Sequence, residues 1–252
     1  MSSALIGYTG FVGSNLLPGS FDAVYNSKNI GEIQGRTFDR VVCAGTTALK
    51  WWANNNAEED QRRIAGLTHD LCRVEAAQFT LISTVDVYDC SIGADEYTLP
   101  KPVQAYGANR LLLEQFVADR FPYHTIVRLP ALVGQGLVKN AIFDLLNDNM
   151  LELVHPESSF QWYPLDRLPL DLMIAEYDNM PLVNFATEPV TMREIRNGFF
   201  PGKEIGREAK AAPAAYDLRT RYASVFGGER GYLLNHDQVM VALGKFIAGA
   251  RS

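Results

Sequence analysis

The feature of this 252-residue sequence that most restricts its fold is a glycine-spaced turn close to the N-terminus. A short apolar run, Ala4-Leu5-Ile6, is typical of a buried strand and leads directly into this turn. Glycines at such spacing permit a tight turn, close approach of the backbone to a pyrophosphate and close packing of the following helix on the strand. The segment therefore predicts a dinucleotide-binding turn, with these cofactor-binding residues: Gly7, Gly10, Phe11, Val12 and Gly13.

The residues after the second predicted strand bear on which dinucleotide is bound. Ala23-Val24-Tyr25 predicts this strand, and Asn26, Ser27 and Lys28 follow it as further candidate cofactor-binding residues. In units that prefer NAD, this strand usually ends in a carboxylate that hydrogen-bonds the ribose hydroxyls, and none is present here. Ser27 and Lys28 are suited to hold a 2′-phosphate, which favours NADP over NAD. The alternative interpretation is a polar surface turn.

The rest of the first half alternates strands with helices. Phe38 to Cys43 predicts a buried strand, and Ala44 and Gly45 at its end are small enough for a cofactor to lie against it. After a loop that contains Trp51 and Trp52, apolar residues at helical spacing predict a helix over 58–76. Phe79 to Ile82 and His124 to Leu129 predict further strands. The fold class predicted is therefore α/β, a Rossmann-like doubly wound parallel sheet.

Beyond about residue 130 the alternation weakens. The sequence there predicts a helix over 140–147, short strands over 151–154 and 182–185, and a final helix over 235–250. Prolines and glycines are frequent between them. We therefore expect a dinucleotide-binding Rossmann domain over residues 1–135. A small irregular substrate-binding lobe is expected over residues 136–252, interleaved with the end of the sheet and completed by a C-terminal helix.

Composition narrows the class of protein. A net charge of −6 disfavours nucleic-acid and anionic-membrane partners, which bind basic surfaces. Three widely spaced cysteines suit a reducing compartment, and four isolated histidines predict no metal site. Neither a signal peptide nor a membrane-spanning segment is expected, because the N-terminus lacks a basic region and no apolar run is long enough. The prediction is a cytoplasmic protein.

Candidate catalytic residues lie on a helix predicted near the middle of the chain. A spacing of four residues places Tyr106, Arg110 and Glu114 on one helix face. A fixed cation beside a phenol favours the phenolate and lowers the pKa of the tyrosine from about 10 toward neutrality. The alternative is an ordinary surface helix with a half-buried tyrosine and a solvated arginine. Thr84 follows the end of a predicted strand, where its hydroxyl is placed to face a substrate.

Four motifs occur in order along the chain: Gly7-x-x-Gly10-Phe11-Val12-Gly13, Ser83-Thr84-Val85-Asp86-Val87-Tyr88, Tyr106-Gly107-x-x-Arg110 with Glu114, and Arg128-Leu129-Pro130 with Gly134-Gln135-Gly136. In this order and spacing the sequence resembles the extended short-chain dehydrogenase/reductases of the NAD-dependent epimerase/dehydratase type. Two weaker matches extend the resemblance to about residue 195. Members of that family commonly have a larger substrate lobe than this chain has room for.

The resemblance implies an NAD(P)-dependent enzyme in which Tyr106 is the acid or base and Thr84 orients the substrate. It implies hydride transfer at a carbinol or ketone carbon of a nucleotide-activated sugar, by reduction, epimerisation or dehydration. The cation of the family falls on Arg110, where lysine is usual; arginine keeps the charge but does not pass on a proton. Dehydratases of this family usually carry an Asp-Glu pair after the Ser/Thr, and Val85-Asp86 supplies one carboxylate, which disfavours dehydration.

Three candidate substrate residues complete the prediction. Asp86 either faces a substrate hydroxyl or caps a turn, while Lys139 and Asn140 are candidates to contact a substrate phosphate. The resemblance also implies a homodimer through Leu111 to Val117 on the tyrosine helix. Two other classes remain open at this point: a cofactor-binding sensor or regulatory protein that has lost turnover, and a structural subunit that binds no nucleotide.

Overall fold

The computed structural model describes residues 2–19, 21–89 and 91–251. Cys90, one of the three cysteines from which a reducing compartment was predicted, lies outside the described residues. The strands are β1 (Ser3–Ile6), β2 (Ala23–Tyr25), β3 (Thr37–Cys43), β4 (Glu75–Thr84), β5 (His124–Leu129), β6 (Ala131–Val133), β7 (Ser159–Phe160), β8 (Trp162–Pro164), β9 (Leu182–Asn184) and β10 (Val190–Thr191). The α-helices are α1 (Phe11–Leu16), α2 (Lys50–Asn55), α3 (Ala57–Leu71), α4 (Ala105–Arg120), α5 (Ala141–Asn147), α6 (Leu168–Tyr177), α7 (Met192–Phe199) and α8 (His236–Arg251).

The chain divides into two compact units, the first of which comprises residues 1–89, 96–128 and 167–184. It is built on a six-stranded parallel sheet with the order β2-β1-β3-β4-β5-β9, which confirms the predicted fold class. The chain places β2 on one side of β1 and then crosses back to place β3 on the other. In open α/β sheets ligands bind where the strand order reverses in this way, beyond the carboxyl ends of the strands.

Helices cover both faces of this sheet, because alternate residues of a strand point to opposite sides. Cys43 and Leu81 face α3 and α4 and are part of one buried cluster with them. On the opposite face, Thr80 of β4 donates a hydrogen bond of 2.5 Å to Glu176 of α6. Arg40 of β3 donates two more to the same carboxylate, at 2.7 and 3.0 Å. The helix α6 is thus fastened to the sheet by a shared carboxylate.

The second unit comprises residues 90–95, 129–166 and 185–252. It contains two small sheets, the parallel pair β6–β8 and the antiparallel pair β7–β10, together with α5, α7 and α8. A cluster that includes Trp162, Ile195 and Leu243 forms its core. The sequence predicted a boundary between residues 135 and 136, with the second lobe interleaved with the end of the sheet. In the structure the chain leaves the first unit at residues 90–95 and again after Arg128, and it returns for α6 and β9.

Three predictions about single elements were wrong. The segment with the tryptophan pair, predicted as a loop, is the helix α2, and Asn55 at its end bonds back to the Trp51 carbonyl at 2.7 Å. The helix predicted over 58–76 is α3, which ends at Leu71 because Glu75 already pairs with Thr37 in the sheet. The strand predicted over 151–154 is a single turn of 3-10 helix, Leu151–Leu153. Two further helices, α6 and α7, were not predicted from the sequence.

Among the described residues, no helix combines the length and the apolar character needed to cross a membrane.

Candidate active site

A cavity of about 660 Å³ lies beyond the carboxyl ends of β1, β2 and β3, where the strand order reverses. Its walls include six of the ten residues predicted to bind a cofactor: Gly7, Gly10, Asn26, Ser27, Ala44 and Gly45. Of the other four, Phe11, Val12 and Gly13 form the first turn of α1 next to Gly10, and Lys28 is exposed beside Ser27. The structure therefore brings the predicted cofactor-binding residues together at one edge of the sheet.

The glycine turn has no room for larger side chains. Gly7 has a φ of +84°, and a Cβ built on it would lie 2.6 Å from the Ala44 carbonyl oxygen. A Cβ on Gly13 would lie 2.1 Å from the Gly7 carbonyl oxygen, so α1 packs directly on the turn. Both contacts are far inside van der Waals distance. The spacing of the glycines is thus required by close backbone packing around the cavity, as the sequence indicated.

The helix α3 provides a wall of the cavity that no sequence motif indicated. Arg63, Gly66, Leu67 and Asp70 line the cavity from one face of this helix. Their spacing of three and four residues is the signal that would have identified them, once a cavity beside α3 was known. The cavity is also lined by a loop after β3 that contains Thr46 and Thr47.

Thr84 and Tyr106 meet at the end of β4. Thr84 is the last residue of the strand and is 8% exposed; its hydroxyl accepts a hydrogen bond from the Asp86 backbone N–H at 3.2 Å. Tyr106 lies in the first turn of α4, where its backbone N–H donates to Asn54 Oδ1 at 2.9 Å. The Thr84 side chain lies close enough to the Tyr106 phenol to lower its pKa. The two predicted hydroxyls are therefore brought together.

Arg110 is buried and fully engaged. Its side chain is 4% exposed, and it donates from Nη1 and Nη2 to the two oxygens of Asp60, at 2.9 and 3.1 Å. Nη2 also donates to the Thr47 carbonyl oxygen at 2.5 Å. The guanidinium lies 4.6 Å from the centroid of the Tyr106 ring, which agrees with the predicted helix face. Because Thr47 lines the cavity, Arg110 joins the cavity wall to Tyr106.

Glu114 does not share the Arg110 cluster. Its carboxylate pairs with Arg128 of β5 at 2.6 Å and accepts a hydrogen bond of 2.5 Å from the Ser83 hydroxyl. Arg128 in turn donates to the Tyr88 hydroxyl at 2.7 Å. A helix turns about 100° per residue, so a residue eight positions from Tyr106 is rotated about 80° away from it, twice the offset of Arg110. The carboxylate therefore reaches a second buried network.

The pKa of Tyr106 is raised above its ordinary value of 10.0. Burial of the phenol is the largest cause, and the carboxylate of Asp86 adds to it. Arg110, the Thr84 hydrogen bond and Lys50 act in the opposite direction. The arginine thus has the predicted sign, but desolvation outweighs it and the expected shift toward neutrality does not occur.

The three predicted substrate residues have defined surroundings. Asp86 accepts a hydrogen bond of 2.7 Å from Lys50 Nζ, a partner that the sequence analysis did not foresee. Asn140 caps α5: its Oδ1 accepts from two backbone N–H groups at 3.0 Å and its Nδ2 donates to the Leu132 carbonyl at 2.9 Å. Lys139 is exposed as a residue, and partial burial of its side chain lowers its pKa. Contact of Asp86 with a substrate hydroxyl, and of Lys139 and Asn140 with a substrate phosphate, stays a prediction.

Over residues 2–19, 21–89 and 91–251, no three or more histidine, cysteine, aspartate or glutamate side chains converge as the ligands of a metal ion would.

Solved structures with the same architecture are numerous. A dTDP-4-dehydrorhamnose reductase from Bacillus anthracis, solved with NADP, aligns with a TM-score of 0.77 and 15% identity over 99% of this chain and 100% of its own. UDP-glucose 4-epimerase from Thermotoga maritima, solved with UDP-glucose, aligns at 0.75 and 13% over 100% of both chains. A variant of UDP-glucuronic acid 4-epimerase from Bacillus cereus, solved with a fluorinated UDP-sugar and NAD, aligns at 0.75 and 14% over 100% of this chain and 99% of its own.

The chain has the fold of these reductases and epimerases. This confirms, at the level of fold, the predicted resemblance to the extended short-chain dehydrogenase/reductases. No protein-family model matches the sequence, and no curated protein resembles it significantly in sequence. The likeness therefore lies in the architecture, at 13% to 15% identity in the three structures compared.

Proposed function

We propose that the protein is an NAD(P)-dependent oxidoreductase or epimerase in which Tyr106 exchanges the proton on a substrate oxygen. The observation that carries this proposal is the placement of Tyr106 beside Thr84 and against Arg110, which connects it to the wall of the cavity through Thr47. Two hydroxyls that converge beside a dinucleotide-sized cavity suit general acid–base chemistry at a carbinol or carbonyl group.

The cavity fits a nicotinamide dinucleotide. Its wall carries the Gly7 turn, into which no Cβ fits, and the first turn of α1 beside it has backbone N–H groups without partners inside the helix. Such a cofactor supplies the hydride. Ser27 lines the cavity next to the exposed Lys28, which supports a preference for NADP over NAD. Two of the similar structures were solved with such a cofactor, one with NADP and one with NAD.

The protonation of Tyr106 favours reduction. Because burial raises its pKa, the phenol is neutral near pH 7 and is set to donate its proton to the oxygen of a carbonyl as that carbon is reduced. Thr84 holds the same oxygen through its hydroxyl. The Tyr106 phenolate that remains then lies against the Arg110 guanidinium, which is 4.6 Å from the ring centroid. Oxidation runs through the same groups in reverse.

The proposed substrate is a nucleotide-activated sugar. The similar structures act on or bind such molecules, a dTDP-linked keto sugar in one case and UDP-sugars in two. Asp86, Lys139 and Asn140 remain the candidate substrate contacts. A homodimer and a cytoplasmic location also stay predictions. On α4, Leu113 and Val117 are buried in the first unit, while Leu112 of the predicted dimer segment is an exposed apolar residue.

Cofactor binding is tested by fluorescence titration with NADPH and with NADH. Trp52 serves as an internal reporter, because the guanidinium of the cavity residue Arg63 lies 4.3 Å from its ring centroid. NADPH is expected to quench the tryptophan emission and to bind more tightly than NADH. Tighter binding of NADH would reverse the cofactor preference. No binding of either would favour the structural-subunit alternative.

Turnover is tested with Tyr106→Phe, using dTDP-4-dehydrorhamnose and UDP-glucose as probe substrates. Loss of the acid is expected to lower kcat by about 10² to 10⁴-fold, with NADPH binding retained. Tyr123→Phe, at a tyrosine 67% exposed, is the matched control and should keep full activity. A wild-type protein that binds NADPH but turns over none of a panel of nucleotide sugars would favour the sensor alternative, which the engagement of Arg110 with Asp60 also supports.

A further inference from the structure

Lys50 is a charged residue of the Thr84–Tyr106 site that no sequence motif identified. It begins α2, and its Nζ lies 2.7 Å from Asp86 Oδ1. The Lys50 side chain is 43% exposed and that of Asp86 is 20% exposed, so the ion pair lies at the boundary between the site and solvent. Both charges act on the Tyr106 phenol: the carboxylate raises its pKa and the ammonium lowers it.

The backbone holds this ion pair close to Tyr106. Asn54 of α2 accepts the Tyr106 N–H at 2.9 Å, and its Nδ2 donates to Gln104 Oε1 at 2.6 Å, which fastens α2 to the start of α4. A Cβ on Gly107 would lie 2.1 Å from the Asp86 carbonyl oxygen. The first turn of α4 therefore packs directly on the turn that carries Asp86. Lys50, Asp86 and Tyr106 are kept in one arrangement by these contacts.

Arg110 lowers the pKa of Tyr106 more than Lys50 does, but it does so as a fixed charge. Its charge is matched by Asp60, which is 1% exposed, and an arginine keeps its proton under all ordinary conditions. Two opposed pairs of charges thus lie near Tyr106. One is Arg110 with Asp60, from α4 and α3, and it is buried; the other is Lys50 with Asp86, and it is partly solvated.

We propose that the Lys50–Asp86 ion pair, which α2 and the first turn of α4 hold next to Tyr106, makes Lys50 a positioning residue that offsets the Asp86 carboxylate and helps to stabilise the phenolate formed during reduction. This inference rests on the proposed function of Tyr106. When Tyr106 gives its proton to the substrate oxygen, the O–H bond of the phenol breaks and a negative charge remains on its oxygen. Asp86 opposes that charge, and Lys50 compensates for Asp86.

The test is the titration of Tyr106 followed by carbon-13 NMR of protein labelled at tyrosine Cζ, with Tyr106→Phe to assign the signal. Lys50→Ala is expected to raise the pKa of Tyr106, Asp86→Asn to lower it, and the double variant to return it toward the wild-type value. Lys50→Arg keeps the charge and is expected to restore the wild-type titration. Lys210→Ala removes one exposed positive charge elsewhere and should leave it unchanged.

Activity provides the second readout. Lys50→Ala is expected to lower kcat for reduction about tenfold at pH 7, with the affinity for NADPH unchanged, and to move the alkaline limb of the pH profile upward. A structural role alone would not give shifts of opposite sign for the two single variants. Shifts of equal sign, or none, would overturn the inference. A wild-type protein that neither binds NADPH nor turns over would instead overturn the proposed function, while the NMR titration would still decide the role of Lys50.

Discussion

Arg110 stands where lysine is usual in the family that the sequence resembles, and it makes contacts here that a lysine could not make. Its planar fork reaches both oxygens of Asp60 and, at the same time, the Thr47 carbonyl. One ammonium nitrogen on a lysine offers no such geometry. The neighbouring Thr46 has a φ of +101°, a region that β-branched residues rarely occupy, so the loop on the cavity wall is held in a strained form. Arg110 anchors that loop.

Removal of Asp60 should therefore be costly for the folded state. Asp60→Ala leaves the Arg110 guanidinium buried without its carboxylate, and the free energy of unfolding is expected to fall by about 3 to 5 kcal/mol. Urea denaturation followed by circular dichroism measures the loss. Glu59→Ala, on the same helix but in ion pairs whose arginines are 50% and 73% exposed, should change it by less than about 1 kcal/mol. Equal losses in the two variants would contradict the assigned role.

At the scale of elements, the site depends on how α4 starts. Gly107 lets the first turn of this helix touch the turn at Asp86, and α2 caps the same end through Asn54. Thr84, at the end of β4, and Tyr106, at the start of α4, meet because these two elements approach so closely. The relative placement of the two hydroxyls is therefore set by backbone packing rather than by either side chain alone.

Gly107→Ala should separate the two hydroxyls. The new Cβ would lie 2.1 Å from the Asp86 carbonyl oxygen and 3.0 Å from Pro102 Cβ, so α4 must shift, at a cost of about 1 to 3 kcal/mol in the free energy of unfolding. A fall in kcat with NADPH affinity retained is expected in steady-state kinetics. Gly66→Ala is the matched helix-interior control for stability: its Cβ meets nothing within 4 Å, and a gain of about 0.5 to 1 kcal/mol is expected. Full activity of Gly107→Ala would argue against this packing.

At the scale of the whole molecule, a buried thiol and two buried phenols make the free energy of unfolding depend on pH in the alkaline range. Burial raises the pKa of Cys43 from 9.0 to about 12, and it also raises the pKa values of Tyr106 and Tyr88. In the unfolded chain these groups ionise at their ordinary values, whereas in the folded protein they keep their protons to higher pH. Their contribution to stability is therefore complete below about pH 9 and declines as the pH rises through the folded-state values.

The contribution of the Cys43 thiol to this pH dependence can be measured from the slope of the free energy of unfolding against pH. For the wild-type protein, the free energy of unfolding should fall between pH 9 and 12. Each proton that the folded state keeps and the unfolded state has lost accounts for about 1.4 kcal/mol per pH unit. Cys43→Ala removes one such proton and should flatten the decline by about that amount, whatever its effect on stability at pH 7. Cys72→Ala, at an exposed cysteine, should keep the wild-type slope. Parallel slopes for Cys43→Ala and the wild type would be the contrary result.

Much of the first unit could be predicted from local sequence. The strand before Gly7, the glycine turn and the helix after it are specified within about fifteen residues, because glycine spacing and apolar runs act over short distances. The same holds for the spacing of Tyr106 and Arg110 on one face of α4. Elements whose signals are weaker were missed, such as α6, which is apolar around much of its surface and therefore lacks the one-sided pattern of an amphipathic helix.

By itself, the sequence determined the α/β class, the position of the glycine turn and the identity of the two hydroxyl-bearing residues. Only the tertiary structure decided their partners. Arg110 meets Asp60, fifty positions away, and Lys50 meets Asp86, thirty-six positions away. Contacts over such separations depend on how helices and strands pack, and the spacing of residues within one segment does not predict them. The balance of charge and burial that raises the pKa of Tyr106 exists only after that packing has removed the phenol from water.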